Sequence, residues 1–196
     1  MSDWTSLRYA VVDVEGNGQQ PPDLVELAVV PIVGGTIGVP TSWLVKPEQS
    51  IKYFATRIHG LTNQHVADAP AFAAIEDEVR QALTADALVA HNAHVDVGVL
   101  QRKLGTWDCP EVFDTLKLAK RLRPNQVSYK LGALTEAFKL AEGLPDGLNP
   151  HRATYDALLA ARLFVQLAMH PDASPLSLAE LRDDTPGGDD ETPALF

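Results

Sequence analysis

Residues 8–15, RYAVVDVE, form an apolar, largely β-branched run that ends in two carboxylates, Asp13 and Glu15. A run of this length and composition predicts a buried β-strand. Side chains alternate between the faces of a strand, so two acids spaced two residues apart point the same way. In α/β sheets, functional groups gather where strands end. The run therefore predicts both a core strand and one side of a site.

The segments that follow extend this strand into a sheet. DLVELAVVPIV (23–33) predicts a second strand, and Gly34-Gly35 predicts a hairpin turn into TIGVPTSWLV (36–45). An antiparallel meander of three strands comes first, and helices and strands then alternate. This order predicts an α/β fold with a mixed central β-sheet flanked by α-helices. We expect a loop over 47–60, strands over 87–92 and 111–115, and helices over 70–84, 94–104, 116–123, 129–140 and 153–169.

Composition indicates one domain, residues 1–170, because 196 residues with 45% hydrophobic content can bury a sizeable core. Residues 171–196 are rich in Pro, Gly and acids, and we expect a flexible acidic C-terminal tail there. This tail carries −6 of the net charge of −10. No apolar run approaches the roughly 20 residues that cross a bilayer, and the N-terminus has no signal pattern. We therefore expect a cytoplasmic protein without membrane association.

Three further polar residues lie near the starts of predicted helices. Asp96 and Asp156 fall in first turns, and His151 lies on the loop before the last helix. Each has an ordinary explanation, since an Asp in a first turn stabilises the helix dipole and a His there can be a cap or simply exposed. Close carboxylates repel one another, however, and a bound cation would remove that cost.

Taken together, these motifs resemble one known family. VVDVEGNG (11–18), LVAHNAHVDVGVL (88–100) and HRATYDALLAA (151–161) resemble the DEDDh branch of the DnaQ-like 3′–5′ exonucleases, in the RNase H-like superfamily. The resemblance spans about residues 8–168, and LVELAVV (24–30) and IHGLT (58–62) support it. The tyrosine branch would have Tyr where Arg152 stands, so the histidine branch is favoured.

The resemblance implies an RNase H-like fold and a two-metal phosphodiester hydrolysis with Mg²⁺ or Mn²⁺. The product would be a nucleoside 5′-monophosphate, released from the 3′ end of single-stranded DNA or RNA. His151 would accept the proton of the attacking water, which suits a side chain that titrates near neutral pH. The two ions would be held by four carboxylates, Asp13, Glu15, Asp96 and Asp156, with Asp13 bridging both.

The resemblance also implies a pocket for the terminal nucleotide. Gly16-Asn17-Gly18 stands where relatives often have Thr-Thr-Gly, so backbone contacts to the 3′ end remain while hydroxyl contacts are lost. Val95 stands where Phe is common, so an aromatic wall is missing. Basic residues over 102–130 are expected to line the path of the nucleic-acid substrate. The implied substrate-binding residues are Gly16, Asn17, Ile58, His59, Asn92 and Val95.

Two other classes of enzyme require motifs that this sequence lacks. A dinucleotide-binding fingerprint needs a third Gly at position 21, where Pro21 stands, and no G-x-S-x-G supports a serine hydrolase. The remaining rival is a catalytically silent nucleic-acid-binding or adaptor module on the same fold. Residues 193–196, PALF, loosely resemble peptides that bind the bacterial sliding clamp, which implies a replication or repair partner; a solubilising end is the alternative.

Overall fold

The mixed sheet predicted from the sequence is confirmed. The computed structural model describes residues 2–170 and 173–182. Within them the strands are β1 (Tyr9–Gly16), β2 (Leu24–Val33), β3 (Thr36–Ile37), β4 (Thr41–Leu44), β5 (Ala87–Ala90) and β6 (Glu111–Asp114). They run in the order β3-β2-β1-β5-β6, with β4 also paired to β2. β1 to β4 pair antiparallel, whereas β5 pairs parallel with β1 and β6 pairs parallel with β5.

The strand predicted over 36–45 is divided into β3 and β4. Pro31 in the facing strand β2 has no N–H to donate to the ladder. The chain opposite departs from strand geometry, and the Gly38 N–H instead donates to the Pro31 carbonyl at 2.8 Å. Both halves still pair with β2, so the antiparallel meander itself was predicted correctly.

The helices agree with the sequence predictions in the second half of the chain and differ in the first half. The loop expected over 47–60 contains a helix, and the helix expected over 70–84 begins only at Glu76, after a short 3-10 turn. None of the helices in the described ranges is long and apolar enough to span a membrane. The helices are α1 (Tyr53–His59), α2 (Glu76–Ala82), α3 (His94–Leu104), α4 (Thr115–Leu122), α5 (Leu131–Phe138), α6 (Ala153–Leu167) and α7 (Leu178–Arg182).

Helix α6 organises the core on one face of the sheet. It packs across β1 and β2, and it is buried along most of its length. Its Phe164 ring contacts the rings of Trp4, Tyr9 and Phe113, with centroids 4.8–5.8 Å apart. Helices α2 and α3 belong to a second apolar cluster that includes the alternate side chains of β1. This packing fixes the start of α6 beside the carboxyl end of β1.

The expectation of a flexible tail from residue 171 is wrong for residues 173–182. Leu176, Leu178 and Leu181 are buried, because they continue the apolar cluster around α6. The Arg121 guanidinium donates to the carbonyl oxygens of Glu180 and Leu181 at 2.8 and 2.7 Å. Residues 171–172 and 183–196, including the apolar end of the chain, lie outside the described residues.

Candidate active site

Three carboxylates meet where β1 ends against the first turn of α6. Asp13 and Glu15 share one face of β1, as their spacing predicted, and Asp156 approaches them from α6. One carboxylate oxygen from each residue lies within 4.8 Å of the other two. Such a spacing allows all three to contact one cation.

Asp96 lies beside this cluster in the first turn of α3. It is buried, and its Oδ1 accepts the Val14 N–H at 3.0 Å, so it contacts the strand between the two β1 acids. The carboxylate of Asp114 accepts the N–H groups of Asn92 and Ala93 at 3.0 and 3.2 Å and thereby holds the turn before α3. The structure thus brings all four predicted acids together, with Asp96 outside the group of three.

Burial dominates the electrostatics of the site. Removal from water raises the pKa of Asp13 well above its usual range, and repulsion from Asp96 and Asp156 raises it further. Burial is likewise the largest cause that raises the pKa of Glu15 to about 8, of Asp96 to about 7 and of Asp156 to about 6. Ionising these groups together is costly unless a cation compensates their charge.

The donor set fits a divalent cation. Within the described residues, Asp13 Oδ2 is buried without a hydrogen-bond partner, which is unusual for a polar atom in a folded protein. Carboxylate oxygens are the ligands that Mg²⁺ and Mn²⁺ prefer. Asp13, Glu15 and Asp156 therefore form a site that can hold such an ion.

These pKa shifts predict how metal stabilisation depends on pH. Raised carboxyl pKa values favour the metal-free fold at low pH, and this stability is lost as pH rises through about 6 to 8, where the groups ionise. A bound cation offsets that loss. The increase in Tm that excess Mg²⁺ produces over chelator should therefore be larger at pH 8 than at pH 6. An equal increase at both pH values, or the same increase in Asp13→Asn, would contradict this expectation.

His151 projects over the same cluster from the loop before α6. Its Nδ1 lies 4.0 Å from Asp156 Oδ2, and 63% of its side chain is exposed, so the ring can reach a water molecule. The residue has a φ of 59°, a left-handed conformation that turns the loop sharply into the helix. Asp13, His151 and Asp156 line one cleft of about 680 Å³, together with Lys130 and Tyr155.

The loop that carries His151 is anchored by an ion pair that sequence analysis missed. Glu26 on β2 is buried and accepts Arg152 Nε at 2.9 Å and Nη2 at 2.5 Å. It also accepts the Ala153 N–H at 2.9 Å, at the first residue of α6. Because Arg152 lies next to His151, this contact fixes both the loop and the helix start. The available signal was a single acid inside the apolar run LVELAVV (24–30).

Asn17 and His59, two of the predicted substrate-binding residues, have side chains that hold the loop after β1 in place. Asn17 is fully buried, and its amide accepts the N–H groups of Gln19 and Asp23 at 3.1 and 2.9 Å. His59 is buried as well: its Nδ1 accepts the Leu61 N–H at 3.0 Å. Its Nε2 is therefore the protonated nitrogen, which donates to the Gly16 carbonyl at 3.2 Å. The Asn17 amide nitrogen also donates to the Gln49 carbonyl at 3.2 Å, so both side chains are held by neighbouring backbone.

The other predicted substrate contacts are divided between different surfaces. Ile58 and Val95 are exposed, as a contact with a terminal nucleotide requires. Asn92 lines a separate cleft of about 990 Å³ with Lys117 and Lys120. The basic segment over 102–130 is likewise divided, because Arg123 donates to the Met169 carbonyl while Lys130 lines the cleft of His151. The basic side chains of residues 102–130 therefore do not form a single path.

A mixed sheet that brings carboxylates from its central strand against a helix start defines a metal-site hydrolase of the RNase H-like fold. The family model of the RNase T group, described as Exonuclease, matches residues 10–164. The chain belongs to this family of DnaQ-like exonucleases, and it is a nuclease by that membership.

Individual relatives agree with this assignment. Exodeoxyribonuclease 10 of Escherichia coli K12 is 38% identical over 157 residues, which are 80% of this chain and 67% of that protein. The 3′-5′ exonuclease DinG of Bacillus subtilis is 33% identical, over 82% of this chain but 17% of that longer protein. The solved structure of exonuclease X in complex with 5′ overhanging duplex DNA superposes with a TM-score of 0.71 at 34% identity, covering 88% of this chain and 98% of that one.

Proposed function

We propose that the chain is a metal-dependent 3′–5′ exonuclease that removes nucleotides from single-stranded 3′ ends of DNA. The observation that carries this proposal is the cluster of Asp13, Glu15 and Asp156, with His151 Nδ1 4.0 Å from Asp156. DNA is favoured over RNA as substrate because the similar exodeoxyribonuclease is named for DNA and exonuclease X was solved with it. The product is a nucleoside 5′-monophosphate.

Each residue has a distinct part in the proposed reaction. Asp13, Glu15 and Asp156 would hold the metal, and Asp96 would support them. When bound, Mg²⁺ or Mn²⁺ supplies Lewis acidity to the phosphodiester and makes water a better nucleophile at neutral pH. His151 accepts the proton as the water oxygen attacks phosphorus. The bond between phosphorus and the 3′ oxygen breaks, and that oxygen takes a proton from solvent.

The loop after β1 orients the 3′ end of the nucleic-acid strand. Gly16 presents backbone at the end of β1, and the contacts of His59 and Asn17 keep that backbone in place. Ile58 offers an exposed apolar side chain beside it. These groups recognise a terminal nucleotide through shape and backbone contacts, which are independent of base identity.

This arrangement predicts that degradation starts only at a free 3′ end. A linear single-stranded DNA should be shortened stepwise, whereas a circular strand of the same sequence should remain intact because it has no terminal nucleotide. Gel analysis of both substrates, each incubated with Mg²⁺, measures the difference. Linearisation of the circle would show internal cleavage and contradict the proposed polarity. Tight binding of the linear strand without hydrolysis would favour the silent binding module.

A further inference from the structure

Helix α1 has an unusual surface for a protein with a net charge of −10. Three large apolar side chains on this short helix are exposed, namely Tyr53 (76%), Phe54 (55%) and Ile58 (56%). Lys52 and Arg57 are exposed on the same segment, and residues 52–59 contain no acid. Clustered exposed apolar side chains mark interaction sites, and cations among aromatic rings are typical of surfaces that bind single-stranded nucleic acid.

Backbone contacts place α1 directly on the loop that follows the β1 carboxylates. The Lys52 N–H donates to the Asn17 carbonyl at 2.9 Å, at the start of the helix. The Phe54 ring covers Gly18 so closely that a Cβ there would lie 2.8 Å from it. Gly18 is three residues after Glu15, so their Cα atoms are at most about 11 Å apart. Phe54 therefore lies within a few nucleotides' length of the carboxylate cluster.

The other end of helix α1 lies near the loop that carries His151, the proposed general base. Phe54 and Ile58 are four residues apart and so lie on one face of α1. Ile58 lines a cleft of about 460 Å³ with Pro150 and Arg152, the neighbours of His151 in sequence. Helix α1 thus contacts the loop after the β1 carboxylates through Phe54, and it shares a cleft with the neighbours of His151 through Ile58.

We propose that Tyr53 and Phe54 form a stacking surface for the nucleobases next to the scissile nucleotide in a single-stranded 3′ segment, adjoining the contact of Ile58 with the terminal nucleotide. This inference rests on the proposed exonuclease function. Every base has a π-face, so the surface holds a strand without reading its sequence. Lys52 and Arg57 add positive charge for the phosphates of that strand. The two rings also supply the aromatic contact that Val95 does not.

The test compares substrate length in variants of the full chain. In Tyr53→Ala/Phe54→Ala, KM for a single-stranded decanucleotide should rise about tenfold or more, the usual effect of losing base stacking. The kcat should stay near wild type, and KM for a p-nitrophenyl ester of a nucleoside 5′-monophosphate, which has no neighbouring nucleobase, should change less than about threefold. Phe54→Leu keeps an apolar side chain but loses the ring, so it should lose most of the Phe54 contribution. Val39→Ala, at an exposed valine elsewhere, is the matched control.

A modified substrate separates stacking from other effects. Abasic residues that replace the bases next to the terminal nucleotide should weaken wild-type binding, and they should have little further effect in the double variant. Unchanged KM for the decanucleotide in a double variant with wild-type Tm would overturn the inference, and so would a changed oligomeric state as its only effect. A wild-type protein that releases no nucleotide would instead refute the proposed function.

Discussion

Asp13→Asn should reduce nucleotide release by about 10³-fold or more, because the charge at the centre of the metal cluster is lost. Asp13 is buried between Glu15, Asp96 and Asp156, and no other described group can replace its carboxylate there. Asn has nearly the same shape, so the packing around β1 remains. The substitution also removes a buried charge that burial and its neighbours disfavour. The rate of nucleotide release in excess Mg²⁺ measures the effect.

Stability separates loss of chemistry from loss of fold in this variant. In chelator, the Tm of Asp13→Asn should equal or exceed that of the wild type, since no paired charge has been broken. Asp108→Asn, at an exposed acid in the loop before β6, is the control and should change neither rate nor Tm. Retention of a tenth or more of the wild-type rate by Asp13→Asn would remove Asp13 from the metal site.

His151→Asn should slow the reaction by roughly 10²–10⁴-fold, which is the usual contribution of a positioned general base. Asn is the informative replacement because it tolerates the left-handed backbone at this position, where φ is 59°. The loop and the Glu26–Arg152 pair that anchors it should therefore persist. The rate of nucleotide release near neutral pH under saturating substrate measures the loss.

Metal binding shows whether the His151 effect is chemical. Mn²⁺ affinity, followed by calorimetry, should change little in His151→Asn, because the three clustered carboxylates remain. His170→Ala is the matched control, since His170 also lies near a carboxylate, 3.5 Å from Glu180, but outside the site. Wild-type turnover in His151→Asn would make His151 a structural residue and would contradict the proposed mechanism.

The positions of the four clustered carboxylates were predictable because each follows from a local pattern. The i, i+2 spacing of Asp13 and Glu15 on a strand fixes their common face, whatever the rest of the chain does. Asp96 and Asp156 follow from the starts of two helices with clear periodicity. The family resemblance supplied what local patterns lack, namely that these three elements meet in space.

Features that depend on distant contacts were not predictable in this way. The Glu26–Arg152 pair joins residues 126 positions apart, and neither residue belongs to a recognisable spacing. Asn17 was assigned to substrate by its place in the family motif, which could not predict that its side chain accepts the N–H groups of Gln19 and Asp23 within the turn. Helix α1 is seven residues long and has no side-chain cap at its start. Its hydrophobic pattern is therefore too short to predict a helix.

The flexible tail expected from residue 171 was predicted from the average composition of the segment. Acids and Pro over 171–196 predicted a tail, yet Leu176, Leu178 and Leu181 are enough to bury residues 173–182 against α6. Average composition over 26 residues conceals an apolar pattern in ten of them. A shorter window would have separated the packed part from the rest.

Hydrolysis of the terminal phosphodiester bond at the clustered carboxylates should require a divalent cation. The most direct test uses single-stranded DNA labelled in its 3′-terminal nucleotide, incubated with the full chain in chelator and then in excess Mg²⁺ or Mn²⁺. We predict release of the labelled nucleoside 5′-monophosphate only after metal is added, with Asp13→Asn inactive under both conditions. Undiminished hydrolysis in chelator, or release of a 3′-monophosphate, would contradict the proposed mechanism.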